Sequence, residues 1–344
     1  MPCYLAGEMT MTKIPSASDA APAPRRLRDA LLMGGLLSLV LASLAGLAAA
    51  TGWDQTMGQL ARLGWMQGAA LLALSLANYL LRSLRWNLFG RRVGLPPGLW
   101  RDIRHYLGGF LMIATPGRLG ELVRMRWIRR ETGLPLDRSA PLFVMDRAAD
   151  LVAMALILCA ALALSSGHIA GAIPVAALAL GAAAAATHGR LMAALVTRSY
   201  RIVGRWPRLF GRLRGMARTL GQFTDARVLA ASILLGSLGW MAEGYAFHLL
   251  LVWLGADIGL WKAVGIFVFA TLAGGLTGAP GGLGGAEAAM IALLALEGLP
   301  LETSVAATAV IRVTTLWFAI GIGALVFPVA ERMSKRTADA VEDR

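Results

Sequence analysis

The chain has 344 residues, 57% of them hydrophobic and only 15% charged, and its mean hydropathy is +0.62. A soluble domain carries about 25% charged residues. The composition therefore excludes an ordinary soluble enzyme and indicates an all-α polytopic membrane protein; the strict alternation of a membrane β-barrel is missing. The net charge of +13 does not imply nucleic acid. Nearly all the arginines lie in connections between apolar segments, where they orient a membrane protein and attract anionic headgroups.

Residues 1–28 read as a disordered cytoplasmic leader, rich in Ala, Pro and Ser, with Met9 and Met11 as alternative starts. Apolar segments follow at 29–50, 66–88, 141–165, 169–187, 228–254 and 303–329, each near the roughly 20 residues a helix needs to cross a bilayer. Two broken segments lie at 105–128 and 261–297. The expected domain, 29–330, thus holds six crossings and two re-entrant hairpins, with a cytoplasmic tail at 331–344. Arg25, Arg26 and Arg28, the stretch from Arg82 to Arg138, the arginines of 189–227, and Arg332, Lys335 and Arg336 then all face the cytoplasm of a bacterial cell. Both termini are cytoplasmic in this reading. The 189–227 connection reads as an interfacial amphipathic helix broken near Pro207, with a solvated basic loop as the alternative. Cys3 and Cys159 are too few for a disulfide framework or a metal site.

The two broken segments carry related motifs, TPGRLGE at 115–121 and APGGLGGAE at 279–287. Around them GLWR at 98–101 faces GLWK at 259–262, and GLPLDRS at 133–139 faces GLPLETS at 298–304. Eight residues beyond each closing serine stands an arginine, Arg147 and Arg312. Four anchors in order indicate a duplication, repeat 1 at 66–165 and repeat 2 at 228–329. Three expected crossings separate corresponding points, so the second copy is inverted, as in many transporters. Pro116, Gly117 and Gly120, and Pro280, Gly281 and Gly284, are then the re-entrant tips. Freed backbone groups there must be buried in protein or line a wet cavity, and the helix starting behind each tip offers its N-terminus to an anion. Close helix packing is the alternative role for these glycines.

Charge within apolar segments is expensive, so such residues pair or face a cavity. Arg118, Glu121, Arg147, Glu243, Glu287 and Arg312 are the candidate substrate-binding residues. For Arg312 and Glu243 a buried structural ion pair is the alternative. Asp146 and Asp150 are secondary candidates, or groups snorkelling at the interface. Arg85 is a third, or an interface anchor beside Trp86. His168 and His248 lack partners at metal-ligand spacing.

The segments LRSLRWNLF, TPGRLGELVRM, VMDRAADLVAMAL, APGGLGGAEAAMIALLALEG and AVIRVTTLWFAIGIGAL resemble the lysylphosphatidylglycerol synthase transmembrane-region family over about residues 30–330. That family includes the flippase half of the multiple peptide resistance factor. The resemblance implies a lipid flippase or lipid transporter of the inner membrane. Its cargo would be an anionic phospholipid or another polar-headgroup lipid. Synthase members carry a soluble acyltransferase-like domain after the membrane part; this chain stops at residue 344 and is not expected to aminoacylate lipid. No catalytic residue, metal or cofactor is expected. A homo-oligomer and a separate lipid-modifying enzyme are the protein partners left open. Competing readings are a transporter of a small water-soluble anion and a membrane-embedded transferase.

Overall fold

The computed structural model describes residues 63–114, 120–165, 172–203 and 225–342, with a few isolated positions besides. The expected leader, the segment at 29–50 (but for Ser38) and the break near Pro207 lie outside the described residues. Every regular element among the described residues is helical.

Helix α1, Trp65–Arg92, buries Leu71, Ser75, Asn78, Arg82, Arg85 and Phe89, a stripe at spacings of three and four. It stops where Gly94 takes a φ of +85°, a conformation that suits glycine. Helix α2, Leu99–Gly108, continues into a 3-10 turn, Gly109–Ala114, and α3 spans Gly120–Thr132. Helix α4 runs over Leu136–Leu164, α5 over Ala172–Thr187 and α6 over Gly189–Val203. Then come α7, Ala226–Trp253, α8, Leu260–Leu276, a 3-10 turn at Pro280–Gly282, and α9, Gly285–Leu296. Finally α10, Leu301–Arg312, passes through a π-helical turn, Val313–Trp317, into α11, Phe318–Glu342.

The same order of elements thus occurs twice: long helix, shorter helix, 3-10 turn, shorter helix, long helix. Matching motifs also fold alike. In GLPLDRS and GLPLETS the glycine has a positive φ, +69° at Gly133 and +81° at Gly298. Pro135 and Pro300 then cap the next helix with ψ of 156° and 143°. Proline suits that position because it has no amide hydrogen to leave unpaired.

Helices α1 and α7 pack closely and antiparallel. Asn78 meets Gly239, Arg85 meets Gly236, and Arg92 at the end of α1 is 2.7 Å from Asp225 at the start of α7. Asp225 also caps α7 by accepting from the Arg227 amide. That hydrogen bond, with the nearby Arg92 guanidinium, holds its carboxyl below the usual range.

Both broken segments form helical hairpins. In the first, Arg104 and His105 of α2 reach Glu131 of α3 at 2.9 and 3.1 Å. In the second, Lys262 of α8 is 2.7 Å from Glu297 behind α9. The first hairpin follows the C-terminal end of α1 and the second follows that of α7. Because α1 and α7 are antiparallel, the hairpins start from opposite ends of the pair. Their inner ends meet: a Cβ placed on Gly281 would lie 3.7 Å from Ile113.

Three of the six expected crossings coincide with helices long and apolar enough to span a membrane: Arg138–Leu164, Ala226–Trp253 and Leu301–Thr337. The expected crossing at 66–88 forms a long helix, but Gln67, Asn78, Arg82 and Arg85 dilute its apolar run. The one at 169–187 yields α5, 16 residues, or about 24 Å at 1.5 Å per residue, less than the ~30 Å hydrocarbon core. Helix α11 continues through most of the expected tail, to Glu342. The first part of the basic connection forms α6, which exposes Leu191 and Ile202.

Two apolar cores result. One gathers Leu158, Phe247, Leu250, Phe267, Leu294 and Ile311 from α4 and α7–α10. The other gathers Trp86, Phe89, Tyr106, Phe110, Leu142 and Val228 around the far end of α1. Along α4, Met145 and Ala149 belong to the second and Ala153 onward to the first. Asp146 and Asp150 stand at the change-over.

Candidate functional site

Asp146 and Asp150 are four residues apart and so share one face of α4, as Arg82 and Arg85, three apart, share one face of α1. The faces meet in a buried ion cluster. Arg85 Nη2 lies 2.6 Å from Asp146 Oδ1 and 2.7 Å from Asp150 Oδ1, and Arg82 Nη2 lies 2.6 Å from Asp150 Oδ2. Arg147 adds contacts of 2.7 Å to Asp146 and 3.3 Å to Asp150 from a side chain still 27% exposed. Trp240 of α7 donates from Nε1 to Asp150 at 3.1 Å, and its ring lies 4.8 Å under the Arg82 guanidinium. Among the described residues three arginines thus converge on the two aspartates.

Glycines make this approach possible. A Cβ on Gly236 would stand 2.7 Å from Arg85 Nη1, and one on Gly239 would stand 2.6 Å from Asn78 Oδ1. Any larger residue at these positions of α7 would push the polar side chains of α1 aside.

The second charge centre lies at the tip of the second hairpin. There Gly281, Gly282 and Gly284 have φ of +62°, +70° and +81°, so the tip needs glycine. Arg312 Nε is 2.5 Å from Glu287 Oε1, and its Nη2 donates to the Gly281 carbonyl at 3.0 Å. Glu287 sits in the first turn of α9. The positive end of that helix, expected from sequence to seat an external anion, therefore already has a carboxylate of the protein itself. Glu287 Oε2 has no hydrogen-bond partner among the described residues. Just after Arg312 the helix widens into its π turn, where the Thr315 carbonyl accepts a bond from the Tyr79 hydroxyl at 2.5 Å. Single π turns often occur at functional sites.

Glu243 lies between the two centres, 4% exposed, on the same face of α7 as Gly236, Gly239 and Trp240. Its polar neighbours are Asn78, Arg82, Arg312 and Asp150. Among the described residues no cation comes within 4.0 Å of its carboxylate. The Asn78 carboxamide lies alongside, but neither of its polar atoms reaches hydrogen-bonding geometry with a partner.

The structure thus brings Arg85, Asp146, Arg147 and Asp150 into one cluster and Glu287 and Arg312 into another, with Glu243 between them. It corrects two sequence alternatives. Asp146 and Asp150, 0% and 5% exposed, do not snorkel, and Arg85, 0% exposed, is no interface anchor. Burial against a partner helix, not distance from the helix end, decides their environment. Arg312 pairs with Glu287, not Glu243. Pro116, Gly117 and Arg118 lie outside the described residues; Gly120 begins α3, and the side chain of Glu121 is not described. Pro280, Gly281 and Gly284 form the second tip. Sequence reasoning missed Arg82, Asn78, Tyr79 and Trp240. Their signal was polar residues recurring at helical spacing inside an apolar stretch. Among the described residues no group of three metal-ligating side chains occurs.

A helical membrane protein with ion-paired arginines buried beside meeting hairpins is the class this fold and site define. The model of the lysylphosphatidylglycerol synthase TM region matches residues 31–323, and the chain belongs to that family. Two matches, each a protein named UPF0104 membrane protein from Methanothermobacter thermautotrophicus, are 32% identical over 104 residues and 26% identical over 120 residues. They cover 30% and 35% of this chain and 31% and 36% of those relatives. The aligned part thus spans about a third of the length of the curated relatives it matches.

Proposed function

We propose that the protein moves a polar-headgroup lipid between the leaflets of a cell membrane. In this reading the hairpins are re-entrant, enter from opposite faces and belong to an inverted-topology repeat of the transporter kind. The observation that carries it is the meeting of the two hairpins beside the Arg312–Glu287–Gly281 clamp. Two broken segments whose described inner ends meet at Ile113 and Gly281, next to buried charge, make a passage for a headgroup whose acyl chains stay in lipid. The gathering of Arg82, Arg85, Arg147 and Arg312 at the site supports an anionic headgroup as cargo. The membership in a membrane family tied to lipid synthesis supports lipid as the class of cargo.

Reconstitution tests this. Vesicles of phosphatidylcholine holding a trace of headgroup-intact, chain-labelled phosphatidylglycerol are treated with a membrane-impermeant quencher. Wild-type protein should make the inner-leaflet label accessible within the assay, and protein-free vesicles should not. Equal accessibility in both refutes the proposal. Mass spectrometry of lipid retained by gently purified protein should find anionic lipid enriched over the membrane average.

A further inference from the structure

We infer that Glu243 carries a proton whose movement drives the lipid; this rests on the transport reading above. A buried carboxylate has three options: an ion pair, a bound proton, or an uncompensated charge that costs several kcal/mol. The two arginines near Glu243 are already engaged. Arg82 is held by Asp150 at 2.6 Å, and Arg312 by Glu287 and the Gly281 carbonyl. The groups facing Glu243 from the helices packed against α7 are Asn78, Tyr79 and Arg82 of α1, Asp150 of α4 and Arg312 of α10. Within a turn on either side, α7 itself adds only Trp240 and Tyr245 as polar side chains. Of these groups Arg312 is the one tied to a moving part, since its other contacts are the second tip.

Proton and Arg312 therefore compete for one carboxylate. While the tip holds Arg312, Glu243 is relieved by a proton. When the tip withdraws, Arg312 is freed to pair with Glu243, and the proton leaves to the opposite aqueous side. One proton crosses per cycle, taken from one compartment and delivered to the other, with no bond to the lipid made or broken. The π turn directly behind Arg312, anchored by Tyr79, gives the arginine a segment of helix that can shift by a residue. Depth is consistent with this exchange. Glu243 is ten residues from the Trp253 end of α7 and Arg312 eleven past the start of α10, about 15 Å and 17 Å along their helices.

The test uses full-length protein in phosphatidylcholine vesicles with chain-labelled phosphatidylglycerol, a pH-sensitive dye in the lumen and the membrane potential clamped. A gradient of about one pH unit should shift the steady-state distribution of label about tenfold if one proton accompanies each lipid. Lumenal pH should change as label moves. Glu243→Gln should abolish the shift, and Glu243→Asp, which keeps a carboxyl, should retain one. A wild type that moves label with no response to the gradient overturns the coupling and leaves the transport reading intact. A wild type that moves no label overturns the transport reading and the coupling with it. An undiminished tenfold shift in Glu243→Gln overturns the assignment to Glu243. The wild-type result stands whether or not Glu243→Gln inserts normally.

Discussion

The clamp between Arg312 and Glu287 gives the sharpest energetic test. Both side chains are 8% exposed, so removing one leaves a buried charge without its partner, a loss of about 3–5 kcal/mol. Arg312→Met also strips the Gly281 carbonyl of its donor, which adds about 1–3 kcal/mol. Glu287→Gln leaves that carbonyl bonded but strands the guanidinium. In the double variant no stranded charge remains, and only the carbonyl loss persists. The singles should therefore be worse than the double, with a coupling energy of at least about 3 kcal/mol, the upper end for contacting residues. The measurement is a double-mutant cycle of reversible denaturation in mixed micelles. Losses that add to within about 0.5 kcal/mol would mean that the two residues do not act as a pair, and the reasoning about the tip would fall. Lipid translocation should not return in the double variant, because a neutral pair cannot alternate between partners.

Other expectations concern contacts and sidedness. Gly323→Ala would set its Cβ 2.2 Å from the Leu111 amide nitrogen, so α11 and the first hairpin must separate and thermal stability should fall by about 1–3 kcal/mol; an unchanged melting profile would refute that contact. Tyr79→Phe removes the bond to the Thr315 carbonyl and should cost about 1 kcal/mol, measured in the same micelles, with translocation slowed. Single cysteines at Arg91 and Asp257, both exposed, should react with a membrane-impermeant thiol reagent from opposite sides; labelling from one side alone contradicts the antiparallel placement of α1 and α7 across a membrane.

Much of the fold can be read in the sequence because turns are local. The paired glycine and proline of GLPL decide where α4 and α10 begin, and those residues are neighbours in the chain. The second tip is equally local, since glycine takes the positive φ found at Gly281 and Gly284 most readily. The charge pairing is not local. Arg85 lies 61 residues from Asp146, and Tyr79 lies 236 from Thr315. Nothing near Arg85 distinguishes a buried ion pair from a snorkelling group; the distinction lies in Gly236, on a third helix. For the same reason the choice of Glu287 over Glu243 as partner of Arg312 depends on how α9 and α7 pack, which composition does not encode.

The ion cluster also bears on how the chain is made. Helix α1 leaves the ribosome before α4, yet it brings Arg82 and Arg85 with no carboxylate of its own in the buried stripe. Until Asp146 and Asp150 arrive, those guanidiniums have only water or lipid headgroups to face. The far half of α1 is therefore expected to wait at the membrane surface and to settle only when α4 enters beside it. Synthesis past residue 150, not the apolar length of α1, would set the moment at which this helix becomes a lasting part of the bilayer.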